Sequence, residues 1–557
     1  MSELSIVSFG PQRTWVRPGA DVKVDVEIIA AAPASADLTL RLMDLDRTVS
    51  TVRGSVALDR GPTRHRITVE LPAMKRRGYG LDLRLVAAGQ VVSASSAVEA
   101  LEGWWQSPRH AAITEYADAD ATAAAVRDLA RWHVTVVQHY DWMWRHYRYR
   151  PPDGASTFTD TLGRTVSHDA LRAGIDAGHA MGTASLAYGS VYGAEAEHVE
   201  RYPDDRVFDT QGEPLSLGGT FFINDIRPGT SWRRRLLGEY DAAVRAFGFD
   251  GIHMDSYGEP HTAVASDGEP IDFAALYPGL IAEASSPVAA ARPGTRVIFN
   301  CVGGFPLEAV AATPTSCLYL ELWPPDRTFS DVVRWVQRAR ALADDRQVVI
   351  AAYAATMVEP DIGRRQQAFE AVVLLSTVIT AAGAYHHTLA DGDRLLVEGY
   401  YPAAVRLHAA ERRELQALWR FSARYVHLLS DPRRTMLDAA DVRISDREGR
   451  PVATSSEPQE GALWVTATTS QDGTATLHIV DLRDQEDGYW DLPKRRPSRT
   501  GALRLEWSGL RSPVVASPWR LRGRATALRR ESTASDAAWV LPTSRRWLMV
   551  TGSVDGK

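Results

Sequence analysis

Between about residue 106 and residue 429, short apolar runs alternate with amphipathic helical stretches, and this pattern limits the possible folds more than any other feature. The runs are HAAITEY, VTVVQHYD, GTASLAYG, DGIHMDSY, RVIFNCV, CLYLELW, QVVIAAY and TAAGAYH. Helical patterns such as ATAAAVRDLARW, HDALRAGIDAGHA, WRRRLLGEYDAAVRAF and DVVRWVQRARALA lie between them, and HAAERRELQALWRFSARYV follows the last. Strand followed by helix, repeated, predicts parallel strands joined by helical crossovers. Eight such units over about 310 residues predict a (β/α)8 barrel with loop insertions.

The flanks read differently. Residues 1–105 carry VKVDVEII, LTLRLMDL, RHRITVEL and LDLRLVA, separated by RPG, DRG and RRG. Alternation of that kind, punctuated by turns, predicts an immunoglobulin-like β-sandwich. Residues 430–557 repeat the alternation in ALWVTATTS, ATLHIVDL, ALRLEW and WLMVTG, which predicts a C-terminal β-sandwich. The expected architecture is therefore multidomain: all-β flanks at 1–105 and 430–557 around an α/β barrel at 106–429. A chain of 557 residues is long enough for several cores.

Composition excludes several functions. A net charge of −6 with no basic face argues against nucleic-acid binding. No apolar run reaches the roughly 18 residues of a membrane span. The start, MSELSIVSFGPQR, lacks the basic and apolar regions of a secretory leader, and a cytoplasmic location is expected. Two cysteines are too few for a disulfide scaffold or a zinc cluster. Cys301 ends the fifth run and Cys317 begins the sixth, so they are expected at opposite ends of the barrel, beyond disulfide reach. Sixteen tryptophans suit a large core and also the stacking surfaces that sugars use.

Active sites of such barrels lie at the C-terminal strand ends. Those ends here carry Asp141, Tyr188, Asp255, Asn300, Glu321 with Trp323, Tyr353 and His386, which reads as a lined pocket. Pleat alternation orders the acids around the fourth strand. In DGIHMD, Ile252 and Met254 share the face that must meet the helices, so His253 and Asp255 point inward. Asp250 precedes the strand, where it can only cap or stabilise, and Glu259 lies beyond it in a loop. In CLYLELW, Leu318, Leu320 and Leu322 face the helices, while Tyr319, Glu321 and Trp323 face inward. Two inward carboxylates on strands four and six suit glycoside hydrolysis, with one acid for the leaving oxygen and one for the anomeric carbon or water. Whichever of the two is the acid is expected to hold its proton to higher pH than the other.

These residues resemble glycoside hydrolase family 66, the dextranases and cycloisomaltooligosaccharide glucanotransferases. The likeness runs from RTWVRPGADVKVDVEI and SPRHAAIT through VVQHYDWMWRH, SLAYGSVYGA, GFDGIHMDSYG, VIFNCVGGF, LYLELWP and VVIAAY to AAGAYHHTLADGDRLLVEGYYP. It implies a retaining hydrolase of α-1,6-linked glucan, with Asp255 as nucleophile and Glu321 as acid/base. It also implies that Asp141, Trp142, His146, Asn300, Trp323 and His386 lie near the sugar, beside the inward Tyr188, His253 and Tyr353. The chain departs from the family pattern at Ala384, Tyr385, His386, His387, Thr388 and Leu389, where Thr388 replaces a glutamate, and at Tyr188-Gly189, where an asparagine is expected after the tyrosine. The changes at Tyr385 and Thr388, beside the strand-eight end, are where the site could narrow toward short chains. No gap between strands has room for the carbohydrate-binding insertion usual in the glucanotransferases, which favours hydrolysis over cyclisation.

The expected partner is an oligo- or polysaccharide substrate, and no cofactor or metal is expected. His386-His387 point to opposite strand faces without a third ligand, and no glycine-rich loop leads a helix. The alternatives are a retaining glycosidase or transglycosylase acting on another glycan, and a non-catalytic carbohydrate-binding protein.

Overall fold

The computed structural model describes residues 4–554 apart from 88, 293, 359–362, 400–402, 499–500, 533–536 and 544–545. At the N-terminal end, Leu4–Pro11, Asp21–Ala30 and Gly61–Glu70 form one antiparallel sheet. A second holds Trp15–Val16, Gln90–Ala100, Arg77–Ala87, Ala34–Asp44 and Arg47–Leu58. In Asp21–Ala30 every second residue (Val22, Val24, Val26, Ile28) turns inward and is fully or almost fully buried against Leu38, Leu40, Leu81 and Leu83 of the other sheet. Alternating burial of this kind packs two sheets face to face.

The central sheet holds eight parallel strands in sequence order: β1 (His110–Ile113), β2 (Val136–His139), β3 (Ala184–Ser190), β4 (Gly251–Asp255), β5 (Arg296–Val302), β6 (Cys317–Glu321), β7 (Gln347–Ala351) and β8 (Tyr385–His387). The chain continues from β8 through Thr388 into Leu389–Ala390. β8 pairs with β7, and Leu389–Ala390 pairs with β1. The sheet is therefore strongly curled, with one chain segment touching both its first and its seventh strand.

A helix follows each strand, and local sequence explains where several begin and stop. α1 (Ala119–Arg131) follows β1. α2 (His168–Met181) starts where the Ser167 side chain accepts from Ala170 N, and stops at Gly182 in the left-handed region. α3 (Ser231–Phe247) is capped by Thr230 and ends at Gly248, φ 75°, three residues before β4. α4 (Phe273–Ala291) and α5 (Leu307–Ala311) follow β4 and β5. α6 (Phe329–Leu342) opens on a Thr328/Asp331 capping box. α7 (Arg365–Ala382) and α8 (Ala409–Arg424) follow β7 and the β8 segment.

The main core lies between strands and helices and contains Ile252, Met254, Leu318, Leu320 and Leu322. A separate cluster of Val136, Leu186, Ile298, Tyr319, Val349 and Tyr385 fills the inner face, with Trp104 packed against it. Two faces of each strand are thus buried in two different cores, as the pleat requires. At Gly251 an added Cβ would fall 1.9 Å from the Arg296 carbonyl oxygen, so only glycine lets β4 lie this close to β5. Asp250, just before it, accepts from Ser185 N and His179 Nε2, both at 2.8 Å, and ties β4 to its neighbours at the end opposite Asp255.

C-terminal strands form a seven-stranded sheet, which includes Leu463–Thr469, Thr474–Asp481, Leu510–Ala516 and Trp547–Val554, and a four-stranded one of Val442–Ser445, Leu503–Trp507, Arg529–Ser532 and Ala537–Leu541. They share a core around Leu477, Ile479, Leu505 and Val550. Buried ion pairs join the layers: Arg109 to Glu99, and Arg424 to Asp82. No described helix is long and apolar enough to cross a membrane.

Candidate active site

The C-terminal ends of β4, β5 and β6 bring three side chains together. Asp255 lies opposite Asn300 in the β4–β5 register, and Val302 lies opposite Glu321 in the β5–β6 register. Asn300 is fully buried between the two acids. Its Nδ2 donates to Asp255 Oδ1 at 2.7 Å and to Glu321 Oε2 at 2.5 Å. Two bonds from one nitrogen limit the separation of those carboxylate oxygens to about 5 Å, close to the spacing at which one acid attacks while the other donates a proton.

Glu321 is the more enclosed acid. Its Oε1 accepts from Tyr353 OH at 2.9 Å and from Trp323 Nε1 at 2.8 Å. The backbone of Gly399 closes over it, where an added Cβ would stand 2.7 Å from Glu321 Oε1 and 2.7 Å from the Tyr353 ring. Asp255 is partly exposed. It accepts from Asn300 and from the Tyr188 hydroxyl, and Tyr188 is stacked on Tyr140 with ring centroids 4.9 Å apart.

Both carboxyls are held above the ordinary carboxylate range. Burial is the leading cause for each. For Asp255 the charge of Glu321 adds to burial and carries the group up to about 8, against the Asn300 and Tyr188 hydrogen bonds. Glu321 is raised by burial against bonds from Asn300, Tyr353 and Trp323. Two acids this close resist joint ionisation, so near neutral pH the pair holds one proton between them. Three donors face Glu321 and two face Asp255. Each donor favours charge on the acid it meets, while burial favours the proton on both.

A second buried network lies beyond β2. Asp141 has φ 43°, a left-handed conformation that costs a non-glycine residue strain. Arg164 steadies it, donating to the Asp141 carbonyl at 3.1 Å with Nη2 3.6 Å from its carboxylate. His146 Nδ1 lies 3.0 Å from Glu195 Oε1, its backbone N–H also donates to Glu195, and its Nε2 is 3.7 Å from Asp141. Burial opposes charge on this imidazole, but Glu195 and Asp141 overcome it and raise His146 to about 10. Glu195, which burial alone would push up, is brought down to about 2 chiefly by the charge and hydrogen bond of His146, with help from Thr161. The pair is thus an imidazolium and a carboxylate at neutral pH.

Several candidates from sequence lie elsewhere. Trp142 is fully buried among Phe247, Phe249 and Tyr149, with its indole N–H donating to the Tyr188 carbonyl. The turn at Asp141 swings it into the helix-side core, away from any sugar. His253 does face inward but is fully enclosed below Asp255, 5.0 Å from the Tyr319 ring, and burial holds it neutral, down to about 3. It floors the site and is not open to ligand.

His386 faces outward. Its ring nitrogens lie 2.8 Å from Ser376 Oγ on α7 and 2.8 Å from the Ala352 carbonyl. The inward residue is His387, bonded to Tyr319 OH at 2.7 Å. Tyr385 sits at the opposite end of the sheet from the acids, bonded to Ser430 and Ser107, so it cannot narrow the site. Thr388 is fully buried. Glu259 is exposed in its loop. Cys301 and Cys317 are both buried free thiols. Among the described residues, no group of three or more His, Cys, Asp or Glu is arranged to hold a metal ion.

Sequence reasoning missed Glu195, Arg164, Tyr140 and Gly399. Glu195 lies in GAEAEHVE, which reads as an ordinary charged helix start, and it meets His146 only through the fold.

Paired acids at the strand ends, with aromatic neighbours, define an enzyme of glycosidase type. The model of glycosyl hydrolase family 66 matches residues 13–551. The chain belongs to that family. Two cycloisomaltooligosaccharide glucanotransferases of Niallia circulans are each 25% identical to it. One match runs over 336 residues, 56% of this chain and 34% of the relative, and the other over 393 residues, 66% and 40%. The matched segments thus span between a third and two fifths of those relatives' length. A crystal structure of a Paenibacillus sp. cycloisomaltooligosaccharide glucanotransferase, complexed with cycloisomaltoheptaose, superposes with a TM-score of 0.88. It covers 98% of this chain and 99% of its own at 19% identity, which establishes a shared fold.

Proposed function

We propose that the protein is a retaining glycoside hydrolase of α-1,6-linked glucan, with Asp255 as nucleophile and Glu321 as general acid/base. The observation that carries this reading is the Asn300 amide held between two inward carboxylates, which keeps them within about 5 Å at nearest approach. The curled sheet is then a (β/α)8 barrel at 106–429, between sandwich domains at 1–105 and 430–557. Support for the barrel comes from the β8 segment, which pairs with both β7 and β1.

In the first step Glu321 gives its proton to the glycosidic oxygen while Asp255 attacks the anomeric carbon. The bond to the leaving sugar breaks, and a glycosyl ester forms on Asp255. In the second step Glu321 takes a proton from water, the water oxygen attacks the same carbon, and the ester is released. The pair's single proton must therefore sit on Glu321 when substrate arrives. Asn300 bonds both carboxylates and supports the charge on either as it moves.

A second reading, transfer of the glycosyl group to a sugar hydroxyl in place of water, draws on the activity of the glucanotransferases that the chain resembles. Both readings predict retention. Proton NMR of isomaltotriose hydrolysis, read before mutarotation, should show the α-anomer first. Early β-anomer would overturn the retaining assignment, and no turnover of any α-1,6-glucan would overturn the substrate.

A further inference from the structure

We propose that Trp490, contributed by the C-terminal sandwich, is a positioning residue for Glu321: it pins the loop that carries Trp323. The inference rests on the acid role proposed above.

The chain leaves β6 at Glu321 and reaches α6 at Phe329 through a loop of seven residues, Leu322 to Thr328. Early in that loop Trp323 turns back, and its indole N–H donates to Glu321 Oε1 at 2.8 Å. Two internal bonds follow, with Asp326 N donating to the Trp323 carbonyl at 3.0 Å and Arg327 N to the Pro325 carbonyl at 2.9 Å. Beyond this the loop is held from outside.

The outside contact comes from the segment after strand Thr474–Asp481. The Trp490 indole N–H donates to the Asp326 carbonyl at 3.0 Å, and its backbone N–H donates to the Arg327 carbonyl at 2.9 Å. Phe329 N donates to the Gly488 carbonyl at 2.9 Å, and Arg327 Nε donates to Asp491 Oδ2 at 2.5 Å. Trp490 is 6% exposed and packs in the main core, so its ring is fixed before it grips the loop. On the other side, α6 holds the Asp326 carboxylate through Trp335 Nε1 and Arg334.

The mechanical path is short. Trp490 fixes the Asp326 and Arg327 carbonyls, these fix the turn onto Trp323, and Trp323 fixes one oxygen of Glu321. A hydrogen bond aimed at a catalytic carboxyl works only if its donor stays within a few tenths of an ångström of the right place. The loop's own bonds set its turn, and the contacts from Gly488, Trp490 and Asp491 fix where that turn sits beside β6. The C-terminal sandwich is thereby part of the machinery that aims the acid, although it lends no group to the reacting atoms.

The test uses the full-length chain and Trp490→Phe, which keeps the buried ring and removes the indole donor. Hydrogen exchange of the amides from Leu322 to Phe329, read by mass spectrometry, should accelerate. With isomaltotriose, kcat/KM should fall about tenfold, the scale of one hydrogen bond lost at an acid. With an α-glucoside of dinitrophenol, whose leaving group needs no protonation, it should stay within about threefold. A merely structural Trp490 would lower both substrates together, and that result overturns the proposal. Unchanged exchange in the loop overturns it equally. Wild-type protein inert on both glycosides would instead sink the reaction assigned to the site, and with it any acid for Trp490 to aim.

Discussion

Replacing Asn300 by alanine removes one nitrogen that serves both acids at once. Each bond it makes favours the charged form of its acceptor, so its loss must raise both proton affinities of the pair. A hydrogen bond to a charged group contributes about 1.5–3 kcal/mol, and the site alternates the negative charge between its two carboxyls, so roughly one such bond is missing at any moment. One pKa unit is about 1.4 kcal/mol, so the acidic limb of the kcat/KM profile should move up by about one to two units. Below that limb both carboxyls are protonated and neither can attack. On the acidic limb, where both carboxyls are mostly protonated in either protein, the variant should therefore run about ten- to a hundredfold slower than wild type, and the deficit should shrink as pH is raised past the limb. The assay is initial-rate kinetics on isomaltotriose from pH 4 to 9, with Asn300→Asp as a companion that adds a third acid. A uniform loss across the whole range, with an unmoved acidic limb, would refute the reasoning and leave Asn300 as a spacer.

Three further outcomes follow from the same geometry. Glu195→Gln should lower the His146 pKa from about 10 toward the ordinary imidazole range, with Asp141 at 3.7 Å limiting the fall. The stability that charged His146 contributes, complete below about 6.5 and lost as pH rises through about 10 in wild type, should then be lost at lower pH, as nitrogen-15 titration of the ring and parallel melts would show. Asp255→Asn should raise the melting temperature at pH 8 but not at pH 4, because an acid whose folded pKa is raised to about 8 weakens the fold progressively as pH climbs from about 4 to 8. Gly399→Ala places a methyl 2.7 Å from Glu321 Oε1 and should cut kcat well over tenfold with only a small change in melting temperature, as one displaced catalytic group would.

Strand periodicity carried most of what could be read beforehand. Leucines at 318, 320 and 322 leave Tyr319 and Glu321 no other side to occupy, and Ile252 with Met254 does the same for Asp255. Alternation is a local property of a strand, so sequence states it directly. It fails where the strand is short or the chain turns. β8 has three residues before the pairing changes hands at Thr388, so nothing in TAAGAYHHTLA fixed which of His386 and His387 faces inward. The left-handed turn at Asp141 re-aims Trp142, and that conformation leaves no mark on the residues either side. Glu195 needed a contact across 49 positions to reveal its partner. The donors each acid meets also needed the fold, since Tyr188 comes from β3 and Tyr353 from just beyond β7.

The central claim is that Asp255 forms the covalent bond to the sugar. A fluorinated α-glucosyl donor with a good leaving group should inactivate the wild-type protein and leave one sugar per chain. Digestion and mass spectrometry should place that sugar on the peptide containing GIHMDSYG, at Asp255, with Asp255→Asn unlabelled. Label on Glu321 or on any other residue, or turnover of natural substrate by Asp255→Asn at near wild-type rate, would contradict the account.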